Sequence, residues 1–439
     1  MLYGYIRLIL AATEENRCSS FSLEKVVAMG QDKDIIVAMS GTGDNDAINF
    51  IMHNITKYFA DKFDVEYFDI GNFGNKEGAR FFNVMSSGKV KFGMTWCGIG
   101  QDLKVALKNG DETNIWEHFN VPLLKFQGDT PAYFLERHMD IPSNAVLLYG
   151  WEEHLAVHDL IFPNSQCVAA ISPALIFYDT LESNIDFRSR KNGKLYFLKN
   201  GKYPHLLTRY WEEGVPHELG KHLKNLASEL LSIALEPGRV QINDVVVNYF
   251  LDQKIKINNI NLICFFVAQM DDFLRRIKGT MVAQALLPFP VMILGEGWGY
   301  LDTAGAKAIV APSQHPSLTE DLYRSQLGII DMSPNVDTAG HDRMARAAGT
   351  YSFALANQTT WLNKLSPALN DAGYRFDFEN IQYAVNEALR KPDDCIELGR
   401  LYGRSFREQN LPDAFVDRIC ELAELAKVRH AMPPGCHPL

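Results

Sequence analysis

Several common protein classes are excluded by what this 439-residue chain lacks. Its seven cysteines are odd in number and form no C-x-x-C pair, which argues against a disulfide scaffold or a zinc ribbon. No apolar run approaches the ~20 residues that span a bilayer. Residues 1–12 are apolar but have no basic region or clean cleavage site, so we predict no signal peptide. We therefore expect a cytoplasmic protein with reduced thiols and at most peripheral membrane contact.

Charge and metal-ligand spacing exclude further classes. The net charge of −10 argues against a general nucleic-acid binder, so we expect no nucleic-acid partner. No His, Cys and carboxylate cluster has the spacing of zinc ligands. The 47% hydrophobic and 22% charged residues are ordinary for a soluble globular chain. A chain of 439 residues is too long for one ordinary core, and this length indicates two domains.

Apolar runs alternate with helical patterns along the chain, which predicts an α/β fold with parallel sheets. The first group of predicted strands covers residues 34–39, 65–70, 92–97, 121–126, 145–149 and 167–171. The composition changes at residues 185–202, where basic residues are crowded. We therefore predict one domain at 1–183 and a second at 184–405, followed by a final helix and a loose tail at 406–439. The second group of predicted strands covers residues 195–198, 262–267, 291–294, 328–332 and 351–356.

The stretch 291–358 carries the most specific pattern. Its first apolar run ends in a glycine turn, Gly295-Glu296-Gly297-Trp298-Gly299, and its second ends in Ser333-Pro334-Asn335. Ligands of parallel sheets bind at the carboxyl ends of strands. Gly340 precedes a predicted helix from His341, and a helix N-terminus can hold a phosphate, with Arg343 and Arg346 on one face. The alternative is a surface helix with two solvated arginines.

The segment SPN…GHDRMARAAGTYSFALAN resembles the donor-site segment of GT-B glycosyltransferases, in particular the branch related to spore-maturation glycosyltransferases. Weaker resemblance in the order of elements covers residues 30–420. The resemblance implies two Rossmann-like domains facing each other across a cleft, with the final helix crossing back onto the first domain. It also implies transfer of a sugar from a nucleotide diphosphate-sugar, most readily a UDP-sugar, to a hydroxyl of a glycan, lipid or protein. We expect no required cofactor or metal, since no D-x-D motif is positioned like that of the other glycosyltransferase fold.

The resemblance also implies site residues by position. Gly295 and Gly297 would border the donor cleft. The residues expected around the donor are Ser333, Asn335, Gly340, His341, Asp342 and Arg343. The chain departs from the family pattern twice: Asp342 stands where Glu is commoner, and Arg346 stands where many relatives carry a Glu thought to hold the ribose. The second departure leaves the nucleotide type open.

Three further basic residues are candidate phosphate contacts. Lys199 and Lys202 flank the predicted first strand-to-helix turn of the second domain, which in this family faces the donor phosphates. Arg275 lies in a predicted helix at 273–285. The alternative is a solvated basic edge, which is common for lysines.

Candidates for a general base lie in the first domain. Gly41-Thr42-Gly43 follows a strand and precedes a helix, as in a dinucleotide fingerprint, but Asp44 and Asp46 would repel a pyrophosphate there. The loop therefore suits a hydroxyl, and Asp44 is our first candidate base, with helix capping as the alternative. Asp129 at a strand end is the second, against a plain turn residue. His154 is the third, against a structural histidine.

The sequence thus predicts a metal-independent glycosyltransferase. Two other classes stay open: a nucleotide-sugar-binding protein of the same fold without turnover, and an NAD(P)-dependent oxidoreductase that uses the Gly41-Thr42-Gly43 turn. The sequence does not distinguish retention from inversion at the anomeric carbon.

Overall fold

A computed structural model describes residues 33–41, 47–107, 109–165, 167–235, 241–255, 259–333 and 335–431. The apolar stretch at residues 1–12, most of the Gly41-Thr42-Gly43 turn, Pro334 and the tail from 432 lie outside the described residues, as does the candidate base Asp44.

Strands and helices alternate along most of the described chain. The strands are β1 Ile35–Ser40, β2 Asp64–Asp69, β3 Val90–Trp96, β4 Lys104–Ala106, β5 Glu112–Asn114, β6 Leu123–Gln127, β7 Ala145–Tyr149, β8 Val168–Ile171, β9 Leu195–Leu198, β10 Met292–Leu294, β11 Ile309–Ala311, β12 Gly328–Asp331 and β13 Phe353–Ala356. The helices are α1 Ala47–Lys57, α2 Asn75–Ser86, α3 Ile115–His118, α4 Glu136–Met139, α5 Glu152–Ile161, α6 Phe187–Arg190, α7 Pro204–Glu213, α8 His217–Ala234, α9 Ile242–Asp252, α10 Ile260–Leu286, α11 Pro316–Ser325, α12 Asp342–Gly349, α13 Thr360–Leu365, α14 Pro367–Ala372, α15 Phe378–Arg390, α16 Pro392–Gln409 and α17 Pro412–Ala431.

The first sheet has the strand order β2-β1-β3-β6-β7-β8, and its neighbouring strands pair in parallel. Both faces are covered. Ile36 and Ala38 of β1 pack in one core cluster with α1 and α17, and Val37 and Met39 pack in another with α2. A strand buried on both faces needs apolar residues at successive positions, which explains the continuous run at 34–39.

The second sheet has the order β11-β10-β9-β12-β13, and its neighbouring strands also pair in parallel. Helix α16 packs on α12 and β13, and α15 packs on α10. The predicted architecture, two Rossmann-like α/β units with parallel sheets facing each other across a cleft, is confirmed. We call them the first unit, built on β1–β8, and the second unit, built on β9–β13.

The final helix leaves the second unit. Whereas α16 packs on the second sheet, α17 places Phe415, Val416 and Ile419 in the core of the first sheet. The chain also crosses earlier, because Ile176–Tyr178 pack in the core of the second unit. The domain boundaries given above stay a prediction.

The strand expected at residues 262–267 is wrong: this segment lies inside α10, a helix of 27 residues. Cys264, Phe266 and Val267 are buried among α7, α8 and α9. A helix surrounded by other helices is apolar on several sides, so its sequence carries no 3.6-residue pattern that separates it from a buried strand. This helix matters for function because it carries Arg275.

Candidate functional site

Two loops of the second unit pack against each other where their strands end. An added Cβ on Gly295 would lie 2.0 Å from the backbone oxygen of Lys199, and one on Gly297, with φ of +81°, would lie 2.3 Å from that of Gly201. Trp298 Nε1 donates a hydrogen bond of 2.8 Å to Lys199 O. The glycine turn after β10 thus holds the 199–201 loop in place, and close backbone approach accounts for both glycines.

A cavity of about 430 Å³ opens beside these loops, a volume typical of small-molecule sites. It lies at the carboxyl ends of the second sheet, and Ala47 of α1 brings the first unit to its wall. Its lining carries six basic side chains, those of Lys199, Lys202, Arg275, Arg276, Arg343 and Arg346. Asp272 is the single acid among the described residues of the lining. We call it the basic cavity.

Helix α12 supplies two of the guanidinium groups, and each has a carboxylate partner. Arg343 Nε lies 2.6 Å from Oδ1 of Asp331, a fully buried residue at the end of β12. Arg346 Nη2 lies 2.7 Å from Asp342 Oδ2. Burial acts to raise the pKa of Asp342, but Arg346, His341 and Arg343 outweigh it and hold this pKa well below its usual value. Both arginines are therefore held in place by a carboxylate within hydrogen-bond distance.

Helix α10 supplies the other two guanidinium groups. Arg275 Nε lies 2.6 Å from Asp271 Oδ2, and Arg276 contacts Asp272 Oδ2 through Nε at 3.0 Å and Nη2 at 2.6 Å. Lys202 Nζ lies 3.2 Å from Asp272 Oδ1, but its side chain is 60% exposed, so this pair contributes little to stability. The sequence Asp271-Asp272-Phe273-Leu274-Arg275-Arg276 encodes both i,i+4 pairs of this helix.

Lys199 differs from the other cations. No acceptor or carboxylate partner of its Nζ lies among the described residues, and its side chain runs past Gly279, where an added Cβ would lie 3.2 Å from Lys199 Cε. Burial and the neighbouring guanidinium groups of Arg343 and Arg275 lower the pKa of Lys199 to about 7. An anion in the cavity would favour the charged form and raise this pKa.

The charges of the basic cavity do not cancel. Among the described residues, five carboxylates lie within 4.0 Å of these six basic side chains, those of Asp129, Asp271, Asp272, Asp331 and Asp342. Of the five, Asp272 alone is in the described lining, so basic groups dominate the surface that a ligand would meet. The cavity is therefore built for an anionic group, and the paired arginines are fixed before it arrives.

The structure brings four predicted donor contacts to one wall, Lys199, Lys202, Arg275 and Arg343. Sequence reasoning did not assign a contact to Arg276 or Arg346. The i,i+4 pairs of Arg276 with Asp272 and of Arg346 with Asp342 were the available signal, because side chains four residues apart share a helix face.

The remaining predicted donor residues lie behind or beside this wall. Ser333 N donates to Asn357 Oδ1 at 2.8 Å, and Asn335, with φ of +56°, donates from Nδ2 to Asp271 Oδ1 at 2.9 Å. Both line a separate cavity of about 50 Å³. An added Cβ on Gly340 would lie 2.5 Å from Trp361, so this glycine makes room for an indole ring.

The start of α12 is capped by a side chain. His341 is the N-cap, and its Nδ1 accepts from Arg343 N at 3.5 Å and contacts Asp342 Oδ1. Burial, together with Arg343, lowers the pKa of His341, while Asp342 acts in the opposite direction. We therefore expect Arg343 and Arg346 to hold the phosphate in place of the backbone amides of this helix.

The two candidate bases within the described residues, Asp129 and His154, differ in their exposure. Asp129 is 42% exposed and its Oδ1 lies 4.0 Å from Arg275 Nη1, so it faces the cleft next to the basic cavity. His154 is buried, with its ring 4.8 Å from that of Trp151, and burial lowers its pKa to about 3. It does not line the cavity. His154 is thus placed as an interior residue, and Asp129 is the accessible candidate among the described residues.

The first unit grips the loop that precedes α12. Glu153 is buried, and its Oε1 accepts from Asp337 N at 2.9 Å while Oε2 accepts from Thr338 Oγ1 at 2.5 Å. Trp151 Nε1 donates to Ala339 O at 3.1 Å. These contacts join the start of α5 to the loop that leads into Arg343.

Within the described residues, no group of three or more His, Cys, Asp and Glu side chains is placed to hold a metal ion. Across the same part of the chain, no helix combines the length and the apolar character that a bilayer crossing requires.

No protein-family model matches the chain, and no curated protein matches its sequence. Solved structures match in fold. An α-glucosyltransferase solved with UDP and a 13-mer DNA matches with 6% identity and a TM-score of 0.48 over 89% of this chain and 100% of that one. A sucrose-phosphate synthase from Thermosynechococcus elongatus matches with 10% identity and a TM-score of 0.46 over 90% and 99%.

An α,α-trehalose 6-phosphate synthase from Burkholderia multivorans matches with 10% identity and a TM-score of 0.38 over 92% of this chain and 100% of that one. Such distant likenesses carry no argument about the site of this chain, because few of its residues are shared. The geometry of the basic cavity must carry any functional conclusion.

Proposed function

We propose that the protein is a glycosyltransferase that moves a sugar from a nucleotide diphosphate-sugar to an acceptor hydroxyl. One observation carries the proposal: six basic side chains and, among the described residues, one acid line a cavity at the carboxyl ends of a parallel sheet. A pyrophosphate esterified at both ends carries one negative charge on each phosphorus, and Arg and Lys side chains bind such anions. The family resemblance of the 291–358 segment supports the same ligand class, with a UDP-sugar as the first choice.

In this proposal, Arg343, Arg346, Arg275 and Arg276 hold the pyrophosphate. When the bond between the sugar and the phosphate breaks, negative charge grows on the departing nucleotide. Guanidinium groups already fixed by Asp331, Asp342, Asp271 and Asp272 stabilise this charge without reorganising. Lys199, half-buried beside them and without a carboxylate partner among the described residues, adds a further positive charge when protonated. We propose that these residues do the work that a metal ion does in other transferases.

The first unit supplies the acceptor side. Asp129 faces the cleft beside Arg275, within reach of a hydroxyl that enters from the first unit. A carboxylate there takes the acceptor proton as the new bond forms, if the reaction inverts the anomeric carbon. Asp44, the first candidate from the sequence, lies three residues before Ala47 in the chain and remains a candidate base. We propose a glycan, lipid or protein acceptor, membership of the spore-maturation-related branch, and domains at 1–183, 184–405 and 406–439.

A thermal shift series tests the ligand class. UDP, GDP, CMP, NAD and NADP are compared, and we expect the largest stabilisation with a nucleoside diphosphate. Stabilisation by NAD or NADP alone would contradict the proposal. The UDP-sugar is then incubated with candidate acceptors, with and without EDTA. Binding without transfer or hydrolysis would indicate a binding protein of this fold, and loss of turnover with EDTA would contradict metal independence.

A further inference from the structure

Asp271 joins the two units at the edge of the basic cavity. It lies in α10 and is 4% exposed. Its Oδ2 lies 2.6 Å from Arg275 Nε and accepts a hydrogen bond of 2.7 Å from the hydroxyl of Tyr133, a residue of the first unit. Its Oδ1 accepts from Asn335 Nδ2 at 2.9 Å. One buried carboxylate is thus contacted by its own helix, by the loop after β12 and by the first unit.

Arg275 depends on the same contacts. Its guanidinium lines the basic cavity, and its Nη2 has no acceptor among the described residues. Beyond Asp271, its charged neighbour is Asp129, at 4.0 Å from Nη1, and the Tyr133 ring centroid lies 5.8 Å from its Cζ. Both of these residues belong to the first unit. The position of this anion-binding group is therefore decided partly outside the unit that binds the anion.

Tyr133 is well suited to hold Asp271. It ends the short 3-10 turn Pro131–Tyr133, which follows β6 and packs on α10. Burial, and the nearby carboxylate of Asp271, raise the pKa of Tyr133 far above its usual value, so the phenol is a neutral hydrogen-bond donor at every physiological pH. Tyr133 does not line the basic cavity, so a direct contact with the anion does not explain its position.

We infer that Tyr133 and Asp271 are positioning residues for Arg275, through which the first unit fixes part of the anion site of the second. The Tyr133 hydroxyl and Arg275 Nε meet at the same carboxylate oxygen. Loss of the hydroxyl lets the Asp271 carboxylate turn, and Arg275 then turns with it. By linkage, an anion bound to Arg275 stabilises the contact between the two units by the same free energy. For its physiological ligand this inference rests on the proposed function.

The experiment measures the affinity for two probes, inorganic pyrophosphate and UDP-glucose, by titration calorimetry. We expect Tyr133→Phe to weaken both by about tenfold, the effect of losing one hydrogen bond to a charged group. The matched control is Tyr249→Phe, which removes a hydroxyl 2.9 Å from His222 Nδ1, and neither of these residues lines the basic cavity. We expect that control to keep the wild-type affinity.

A double-mutant cycle separates positioning from a general structural effect. In an Arg275→Ala background, Tyr133→Phe is expected to have no further effect on affinity, because the group it positions is gone. Arg275→Lys replaces Arg275→Ala if the unliganded melting temperature shows that the alanine variant is unfolded. A tenfold loss that persists in that background, or a Tyr133→Phe variant with wild-type affinity, would overturn the inference.

The two probes keep this inference distinct from the proposed function. If wild-type protein binds pyrophosphate but neither UDP-glucose nor a nucleoside diphosphate of the thermal shift series, the proposed function fails, and the cycle measured with pyrophosphate still supports the positioning role. If wild-type protein binds neither probe, the basic cavity is not an anion site and both ideas fall.

Discussion

The two units share one architecture and present opposite chemistry at the same edge. In the first unit, the residues at or just after strand ends include Asp69, Asp129 and Trp151. The Asp69 carboxylate accepts hydrogen bonds from Gly71 N and Asn72 Nδ2. In the second, the loops and helices at the strand ends bring six basic side chains to one cavity. The parallel sheet determines where a ligand can lie, and the residues at the strand ends and on the flanking helices determine which ligand it is.

The largest expected effect comes from Arg343, which links the core of the second unit to its cavity. Arg343→Ala leaves Asp331 buried without its cation, so we expect a loss of about 3–5 kcal/mol of stability, measured by chemical denaturation. UDP-glucose affinity should fall by about a hundredfold, since a guanidinium contact to phosphate is charge-assisted. Arg418→Ala, which removes an exposed ion pair with Glu421, is the control and should change neither quantity. Unchanged nucleotide affinity would remove Arg343 from the site.

A glycine pair tests whether the turn after β10 shapes the second unit's edge. Gly295→Ala places a methyl group 2.0 Å from Lys199 O, so the 199–201 loop must shift. We expect a loss of about 1–3 kcal/mol of stability and about tenfold weaker UDP-glucose binding. Gly299→Ala meets nothing within 4 Å and should behave as wild type. Equal behaviour of the two variants would show that the loop does not depend on close backbone approach.

The pH dependence of binding tests the role of Lys199, which has no carboxylate partner among the described residues. Lys199 has a pKa of about 7 and its amine is charged below that value, so UDP-glucose affinity should decrease about fivefold from pH 6 to pH 8.5. The bound anion raises this pKa, which moves the titration of the complex to higher pH. Lys199→Met should bind weakly with no such slope. UDP-glucose suits this test, because a phosphate monoester would itself titrate near pH ~6.

The smallest expected effect on donor binding lies in the first unit. Asp129→Asn keeps the shape of the side chain and removes one negative charge 4.0 Å from Arg275, so donor affinity should change by less than about twofold. Turnover with an acceptor should fall about a hundredfold or more if Asp129 is the base. A donor affinity that changes as strongly as in Arg343→Ala would contradict the division of labour between the units.

Sequence patterns predicted much of the fold, but failed where burial is similar on all sides. The runs at 34–39 and 328–332 are strands because residues buried on both faces of a sheet must be apolar. The run at 262–267 has the same composition but is helical, since α10 is surrounded by other helices. Local composition indicates that a segment is buried, but it does not indicate whether that segment is a strand or a helix.

The candidate site shows the same limit. Arg343 was predicted from the family resemblance and its place at a helix start, and Lys199, Lys202 and Arg275 were candidate phosphate contacts. All four line the basic cavity. The local pairs Arg275–Asp271 and Arg346–Asp342 are also encoded by i,i+4 spacing. The hydrogen bond from Tyr133 to Asp271 joins residues 138 positions apart, and no local sequence pattern predicts it.

By itself, the sequence determined the alternation of strands and helices, the glycine turn after β10 and the basic residues near the strand ends, because these depend on neighbours within a few positions. Only the tertiary structure decided that Asp331 and Asp271 fix the arginines, that Lys199 has no carboxylate partner within the described part of the chain, and that His154 is interior. Those outcomes depend on which buried groups come into contact across the fold. A buried charge is costly unless it has a partner, so these contacts determine which charged side chains can be buried and where.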